Sequence, residues 1–230
     1  MSSAIFSVSP ECVQLGLLSG VVVFRNVRVA DASPELRAEI ANEIEAVRDR
    51  FANPEAVRMT SELIAFRKIL DAAGAHPRKV QPSVERLLTY ALKRGTLPAI
   101  NNLVDSYNLV SIRSLCSLGA HDLDRITPPV SLRFLTGEET FTPLGQEHAV
   151  PVKPGEFGYV DAADRVLCWL DVLQADFSKV TVNTVNVLLI IEGTRAHAAE
   201  HLQQTFEEAI NMVTRYCGGT AAEAIAIPVG

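Results

Sequence analysis

Closely spaced cysteines are absent from this sequence of 230 residues. The four cysteines lie far apart, no two have the spacing Cys-x-x-Cys, and no histidine stands at a ligand-like offset from any of them. Structural zinc sites depend on such spacings. We therefore expect reduced, mostly buried thiols, with no bound metal and no cofactor.

Long hydrophobic runs are also missing. The longest, residues 21–24 and 187–191, have the length of a β-strand and are far too short to cross a bilayer. The N-terminus has no basic region followed by an apolar stretch, so no signal peptide is evident. We expect a cytoplasmic protein that does not bind membranes.

Motifs of the common enzyme classes are equally absent. The sequence contains no Gly-x-Ser-x-Gly, no glycine-rich phosphate loop, no His-Glu-x-x-His and no deaminase zinc signature. These absences exclude serine hydrolases of the common fold, P-loop enzymes and zincins. Motifs alone assign no catalytic residue.

Positive charge is scarce except in one region. The net charge of −6 argues against DNA binding and against broad, non-specific binding of nucleic acids. Residues 54–94, however, contain eight Lys or Arg against four Asp or Glu. This excess indicates either a solvated helix face or a surface that contacts phosphates.

Hydrophobic periodicity predicts a mixed α/β fold of the α+β type, with a sheet core flanked by helices. Residues 33–126 are predicted to be rich in helix, and residues 127–230 rich in strand apart from a long helix over 195–217. Ser33 and Thr194 are expected to cap helices. A hairpin is predicted around 161–164, a central strand at 186–191 and an edge strand at 224–229. Without a linker or repeat, residues 1–230 are predicted to form one domain.

Small and polar residues gather at 118–124. Gly119 would let a ligand approach the backbone, and His121 with Asp122 could supply or orient a proton acceptor. The alternative is structural, with Gly119 in a turn and Asp122 capping a short helix. The residues alone leave both interpretations open.

Other polar residues are candidates for a pocket. Asn101, Asp105 and Asn108 share one helix face, and a polar loop that includes Asp171 and Gln174 precedes the strand that ends at Glu192. Because a buried carboxylate has to be paired or face a cleft, Glu192 is either a pocket residue or half of a salt bridge. The remaining histidines are expected to be exposed: His76, His148, His197 and His201.

Residues 101–111 and 118–126 carry a resemblance to a known family. In this order they resemble the B3/B4 domain, the editing domain of the phenylalanyl-tRNA synthetase β subunit, and more narrowly the free-standing bacterial and archaeal proteins that consist of that domain. Further segments fit the same domain: 65–67, 82–88, 132–134, 137–145, 179–181 and 186–193.

The resemblance implies an aminoacyl-tRNA deacylase whose partner is the tRNA acceptor end. The family hydrolyses tyrosine mischarged on the phenylalanine tRNA, by a positioned water and the tRNA terminal hydroxyl rather than by a protein nucleophile. Asn108 matches an asparagine of the family motif, and Glu192 falls, with a one-residue gap, near the glutamate that reads the tyrosine hydroxyl. The expected pocket residues are Asn108, Gly119, His121, Asp122, Asp171, Gln174 and Glu192, and the expected RNA-binding residues are Arg67, Lys68, Arg78, Lys79, Arg86, Lys93 and Arg94.

The sequence also departs from the family. Gly119 stands where bacterial synthetases place a pocket histidine, and residues 170–176 replace their glycine-rich pocket loop, so tyrosine specificity does not carry over. Nothing in the sequence corresponds to the catalytic module of a complete synthetase. Three functions stay open: a deacylase acting in trans, a non-catalytic module that binds tRNA or an amino acid, and a hydrolase of another small ester or amide.

Overall fold

The computed structural model describes residues 5–75 and 80–225. The helices in these ranges are α1 (Pro10–Leu15), α2 (Pro34–Arg50), α3 (Pro54–Arg58), α4 (Ser61–Ala72), α5 (Ser83–Arg94), α6 (Asn102–Ser114) and α7 (Ala199–Cys217). The strands are β1 (Phe6–Val8), β2 (Leu17–Arg25), β3 (Ser117–Asp122), β4 (Val130–Phe134), β5 (Phe157–Val160), β6 (Val166–Trp169), β7 (Leu173–Gln174), β8 (Asn186–Thr194) and β9 (Thr220–Ile225).

The strands form two sheets. The inner sheet is antiparallel, in the order β3-β8-β2-β9, and its two central strands, β2 and β8, are buried along almost their whole length. The outer sheet has the order β1-β4-β5-β6-β7, with β1 and β4 parallel and the other pairs antiparallel. The mixed α/β fold with a sheet core flanked by helices is therefore confirmed, as are the central strand at 186–191 and the hairpin around 161–164.

Two hydrophobic cores hold these layers together. One face of the inner sheet packs on helices α2, α5, α6 and α7, through residues such as Leu36, Leu88 and Leu189. The opposite face packs on the outer sheet, through residues such as Val21 and Phe157. Each fully buried side chain of this kind contributes about 1.5–3 kcal/mol relative to an exposed one. The central strands β2 and β8 are thus enclosed on both faces, and polar residues in the middle of these strands are buried.

Helix ends follow the local sequence. Ser33 accepts a hydrogen bond from the backbone N–H of Leu36, and Pro34 occupies the first turn of α2, so the predicted cap is confirmed. Asn101 caps α6 in the same way by accepting from Val104, while Asp105 accepts from the backbone of Ile100. The polar face predicted for this helix is therefore partly explained by its N-terminal hydrogen bonds.

The predicted cap at Thr194 is wrong. Thr194 is the last residue of β8, and α7 begins four residues later than the predicted 195, at Ala199. The Thr194 hydroxyl instead accepts from the backbone N–H of Ala196 in the intervening turn. The turn is stabilised by a buried histidine, His197, which the sequence placed at the surface.

Two of the histidines expected to be exposed are not, because His197 is buried and His201 is half-buried. His197 is buried and accepts from the backbone N–H of Thr194, with its other ring nitrogen 3.2 Å from the Leu115 carbonyl. His201 lies 2.7 Å from the Ser114 carbonyl. Both rings lie beside the end of α6, where they supply partners for its last carbonyl groups. His148 is exposed as predicted, and His76 lies outside the described residues.

Residues 118–122 belong to strand β3, and a short 3₁₀ helix follows at Leu123–Arg125. Gly119 lies in the middle of β3 and pairs with Ile190 of β8, so the turn that the structural alternative assigned to it is wrong. The edge strand predicted at 224–229 begins earlier, at Thr220, and does lie at an edge of the inner sheet. Residues 226–229 lie outside the described ranges. No helix within those ranges is long and apolar enough to cross a membrane.

Candidate functional site

A row of polar side chains crosses the inner sheet on the face that packs on the outer sheet. Ser19 of β2 and Ser117 of β3 both pair with Glu192 of β8, and residues paired in an antiparallel sheet point to the same face. All three are buried, with Glu192 showing no exposed surface. Polar residues aligned on three neighbouring strands inside a core require partners.

Tyr159 of the outer sheet supplies one of those partners. Its hydroxyl donates to Glu192 Oε2 and lies 2.9 Å from the Ser19 hydroxyl. The other oxygen of Glu192, Oε1, is buried and receives no hydrogen bond from an N–H or alcohol group of the described residues, while the Glu192 carboxyl is hydrogen-bonded to the carboxyl of Asp171. Burial and the nearby Asp171 raise the pKa of Glu192 well above the usual value of a glutamate. Glu192 is therefore an acid in the interior whose raised pKa favours the protonated form, and it forms no salt bridge with another residue in 5–75 or 80–225.

Asp171 reaches the same place from a tight hairpin between β6 and β7. Leu170 and Asp171 both have a φ of 52°, and the backbone N–H of Val172 donates to the Trp169 carbonyl at 2.9 Å, which describes a two-residue turn with two left-handed positions. A leucine in this conformation is unusual and strained. The strand β7 replaces the irregular loop that the sequence predicted here, and its turn directs Asp171 towards the inner sheet.

Two serines complete what we call the acidic cluster. Ser83, the first residue of α5, lies 2.7 Å from the Ser117 hydroxyl, and both hydroxyls are close enough to Asp171 to lower its pKa. Desolvation outweighs them and raises the pKa of Asp171 to about 7. The members of the acidic cluster are Ser19, Ser83, Ser117, Tyr159, Asp171 and Glu192.

An open space lies beside the acidic cluster at Gly119. A Cβ atom added to Gly119 would meet no atom within 4 Å. Ser117, Gly119 and His121 alternate along β3 and therefore share one face, so this space separates Ser117 from His121. It is bounded on the β8 side by Ile190 and Leu188, which pair with Gly119 and His121.

His121 and Gln174 meet at the far end of this space. The Gln174 amide donates to the Ala120 carbonyl at 2.8 Å and lies 3.5 Å from His121 Nδ1, which is also 2.9 Å from the Ser178 hydroxyl. Burial lowers the pKa of His121 to about 3. At neutral pH the ring is uncharged, so one ring nitrogen donates a hydrogen bond, the other accepts one, and the ring presents no charge to a ligand.

Asp122 and Asn108 do not join the acidic cluster. Asp122 points to the opposite side of β3, where it accepts from the Asp124 N–H and from the Thr184 hydroxyl. It caps the short 3₁₀ turn and borders a different cleft of about 460 Å³, as the structural alternative predicted. Asn108 is half-buried on α6, and no side-chain hydrogen bond links it to the acidic cluster within the described ranges.

The predicted RNA-binding residues divide into four groups. Arg67 is a structural residue, because it donates two hydrogen bonds to the fully buried Glu85, which also accepts from Arg58. Lys68 is exposed on α4 and borders an apolar cleft of about 350 Å³ with Arg195. Arg78 and Lys79 lie outside the described residues.

The remaining three cations share one side of α5. Arg86, Tyr90 and Lys93 follow at intervals of four and three residues, so they stand on one exposed face with Arg94 beside them. None of the three cations takes part in an ion pair with another described residue. We call Arg86, Tyr90, Lys93 and Arg94 the α5 basic face. Its helix begins at Ser83, inside the acidic cluster.

Comparison with known proteins identifies the family. The profile of the B3/4 domain family matches residues 65–218, which is more than half of the chain. The chain belongs to the B3/4 domain family. This match contains α5, α6, both acids of the acidic cluster, and the space at Gly119.

The relatives of this B3/4 domain include subunits of a tRNA synthetase. It is 28% identical over 114 residues to the phenylalanine–tRNA ligase β subunit of Methanococcus vannielii, and 29% identical over 136 residues to that of Saccharomyces cerevisiae. These alignments cover 41% and 48% of the chain but only 21% and 22% of those proteins. The chain therefore corresponds to about a fifth of each relative.

A solved structure of a fragment of such a β subunit also aligns with this chain. A crystal structure of an N-terminal fragment of the phenylalanyl-tRNA synthetase β subunit from Pyrococcus horikoshii aligns with a TM-score of 0.47 and 13% sequence identity. The alignment covers 97% of this chain and 54% of that one.

Sequence reasoning missed four members of the acidic cluster. Tyr159 lies in an apolar strand, where an aromatic residue is typical of a core. Ser19, Ser83 and Ser117 are small residues whose importance depends on which strands pair. The one available signal was the position of Ser19 and Ser117 next to buried strand residues, since a polar residue there needs a partner.

Neither a metal nor a nucleophile is evident at the site. The described residues include no group of three or more His, Cys, Asp or Glu side chains that could hold a metal ion. Cys168 lies nearby, and burial together with the charges of Asp171 and Glu192 raises the pKa of its thiol well above the usual range. A protonated thiol is a poor nucleophile. The arrangement favours binding and orientation of a substrate.

Proposed function

We propose that this B3/4 domain hydrolyses the ester bond of mischarged aminoacyl-tRNA in trans. One observation carries the proposal: Ser83 of α5 is 2.7 Å from Ser117 of the acidic cluster, while the same helix presents to solvent the α5 basic face, whose cations form no ion pair with another described residue. A substrate with an amino acid at one end and a phosphate backbone at the other suits two such neighbouring surfaces. The similarity to phenylalanine–tRNA ligase β subunits supports the choice of tRNA.

The α5 basic face would bind the acceptor end of the tRNA. Guanidinium and ammonium groups that lack protein partners are free to contact phosphates, which receive most protein–nucleic acid hydrogen bonds. Tyr90, which is 39% exposed between Arg86 and Lys93, offers a ring on which an unpaired base can stack. Lys68 is the other exposed candidate, on the neighbouring α4.

The aminoacyl group would lie in the space at Gly119. The absence of a Cβ lets an ester approach the β3 backbone, with the neutral His121 and Gln174 at one end and the acidic cluster at the other. Hydrolysis there would depend on a positioned water and on substrate hydroxyls, because orientation alone supplies a large part of such a barrier. Asp122 and Arg67 are excluded from these roles, since both are held by structural contacts.

The single domain predicted for residues 1–230 belongs to the same proposal. Strand β1 pairs with β4, and β2 pairs with both β8 and β9, so the N-terminal strands take part in sheets formed by later segments. A unit connected in this way would fold and act as one body. A free-standing, cytoplasmic protein of this kind would meet its tRNA substrates after their release from a synthetase.

A deacylation assay over a panel of mischarged tRNAs tests the function. The double variant Arg86→Gln/Lys93→Gln should lose about tenfold in activity at limiting tRNA. The slope of the logarithm of the tRNA binding constant against the logarithm of the salt concentration should become shallower by about 1 for each lost phosphate contact. The matched control, Arg28→Gln/Lys153→Gln, removes two exposed cations elsewhere and should change neither. Hydrolysis no faster than the uncatalysed rate for every tRNA would refute the proposal.

A non-catalytic binding module is the second candidate. The observation that favours it is the enclosure of Glu192, whose Oε2 is already held by Tyr159 within the protein. Such a module would show saturable binding of aminoacyl-tRNA without turnover. Single-turnover kinetics with excess protein separate the two functions, because bound ester would then decay at the rate of free ester.

A further inference from the structure

The two acids of the acidic cluster have no cationic partner among the described residues. Twelve ion pairs are found there, and none includes Asp171 or Glu192. The other fully buried glutamate, Glu85, is by contrast bound by two arginines. Buried carboxyl groups without a cation are costly unless they hold protons or receive a charged ligand.

From this arrangement we infer that Asp171 and Glu192 bind the α-ammonium group of an aminoacyl ester. The inference rests on the proposed function for the identity of the ester, and it adds the chemical group that the site recognises. The atoms involved are Glu192 Oε1, which is buried and receives no N–H or alcohol hydrogen bond from the described residues, and the carboxyl of Asp171, which shares a hydrogen bond with Glu192 and retains some exposed surface. The hydroxyl of Ser117 is a third acceptor beside them.

Three properties of the site fit a primary ammonium. Such a group has three donors and no acceptor, and the site offers three acceptors. A ligand phenol would duplicate a contact that the Tyr159 hydroxyl already makes with Glu192 Oε2. A metal ion is a poorer fit, because hard cations bind six or more oxygens and only two carboxyl groups are present.

The position of Gly119 orients the rest of the ligand. Gly119 is two residues from Ser117 along β3, a distance of about 6.6 Å. An ammonium at Ser117 would therefore place the ligand side chain over Gly119 and against Ile190, towards His121 and Gln174. The β3 backbone at Gly119 could approach the ester because no Cβ intervenes.

Binding of a cation would also change the protonation of the cluster. The pKa of Asp171 is raised to about 7 and that of Glu192 is raised well above its usual value, so the free cluster holds protons that an ammonium would drive into solution. The titratable groups that face the two acids from the elements packed around them are Tyr159 of β5, Cys168 of β6, Cys12 of α1 and Cys116 before β3. Their own pKa values are all raised, so they stay protonated at neutral pH and Asp171 and Glu192 are the proton source.

The direct test compares two esters that differ in a single group. L-Phenylalanine methyl ester carries the ammonium, and L-3-phenyllactic acid methyl ester has a hydroxyl in its place; the tyrosine pair covers a polar side chain. Titration calorimetry at pH 6.5 should show at least about tenfold tighter binding of the amine, with release of a proton measurable in buffers of different ionisation enthalpy. Equal affinities, or no detectable binding of either amine, would overturn the inference.

Variants locate the binding at the proposed atoms. Asp171→Asn and Glu192→Gln should abolish the preference for the amine over the hydroxyl ester, which a merely structural role would not do. Gly119→Ala should fold normally, since its Cβ meets no atom, yet weaken both esters because it fills the space over β3. Asp122→Asn is the matched control on the opposite side of β3 and should leave the preference intact.

The same comparison on tRNA separates this inference from the proposed function. If tRNA charged with the amino acid and tRNA charged with the hydroxy acid are deacylated at equal rates, the proposed deacylase activity is supported and recognition of the ammonium group is refuted. If neither tRNA is deacylated but the amine ester binds preferentially, recognition of the ammonium group is supported and the proposed deacylase activity is refuted.

Discussion

Glu85 and Glu192 are both fully enclosed glutamates, but their surroundings differ. Glu85 accepts hydrogen bonds from Nε of Arg58 and from Nε and Nη2 of Arg67, at 2.5–3.0 Å. Glu192 accepts one from the Tyr159 hydroxyl, is hydrogen-bonded to a second acid, Asp171, and has no cationic partner within the part of the chain that the structure describes. One acid is neutralised within the protein, whereas the other is left for a proton or a ligand.

The difference distinguishes a structural acid from a candidate functional one. Glu85 joins α5 to α3 and α4, so its charge is used to hold helices together. Glu192 stands on the central strand of the inner sheet, where an apolar residue would pack better and cost less. Polar groups retained at such a cost are typical of binding sites, where perturbed pKa values are common.

The largest effect is expected where the compensated acid is altered. Glu85→Gln removes the negative charge between two arginines, and we expect a loss of about 3 kcal/mol in the free energy of unfolding, because breaking a buried ion pair leaves its partners uncompensated. Urea denaturation would measure it. Glu55→Gln, which alters an exposed pair with the same Arg58, should cost less than about 1 kcal/mol. Equal costs for the two variants would contradict the distinction.

The uncompensated acids should instead make stability depend on pH. The folded protein keeps the Asp171 proton up to about pH 7, whereas the unfolded chain loses it near 3.8. Between these values the folded state binds more protons, so this group's contribution to stability falls as pH rises, by at most about 1.4 kcal/mol per pH unit. Burial lowers the pKa of His121, so the contribution of His121 to stability rises with pH, because the unfolded chain then binds the extra proton.

The comparison with Asp171→Asn isolates the acid from the histidine. Relative to the variant, the free energy of unfolding of the native protein should fall by about 1 to 2 kcal/mol between pH 4.5 and pH 7.5. This is less than the maximum slope allows, because Asp171 is partly exposed to solvent. Chemical denaturation at both pH values measures the difference. Parallel pH profiles for the two proteins would show that Asp171 titrates normally and that the acidic cluster is not desolvated.

The sequence predicted the elements of the fold better than the composition of the site. The apolar run at 186–191 and the cap at Ser33 depend on neighbouring residues, and both were found where predicted. The acidic cluster depends on strand register, which brings Ser19 and Ser117 to Glu192 across gaps of 173 and 75 residues. Nothing local in the sequence encodes that pairing.

Charge patterns in the sequence located the basic helix and the acidic residues, but they did not show which residues the charged side chains contact. The excess of Lys and Arg in 54–94 correctly marked α5 as a basic helix, but it could not show that Arg67 faces Glu85 rather than solvent. Likewise, Asp122 beside His121 suggested a proton acceptor, although alternation along β3 sends the two side chains to opposite faces. In both cases the missing information was the direction of a side chain.

The smallest effect on stability is expected for the α5 basic face. Arg86→Gln/Lys93→Gln removes two exposed cations without ion pairs among the described residues, so the free energy of unfolding should stay within about 0.5 kcal/mol of the native value. Arg67→Gln on the neighbouring helix should cost clearly more, because it removes two hydrogen bonds to the buried Glu85. Urea denaturation of both variants, alongside tRNA binding, separates the two kinds of arginine. If the double variant were destabilised as much as Arg67→Gln, its weaker tRNA binding would reflect unfolding, and the α5 basic face would lose its support as an RNA surface.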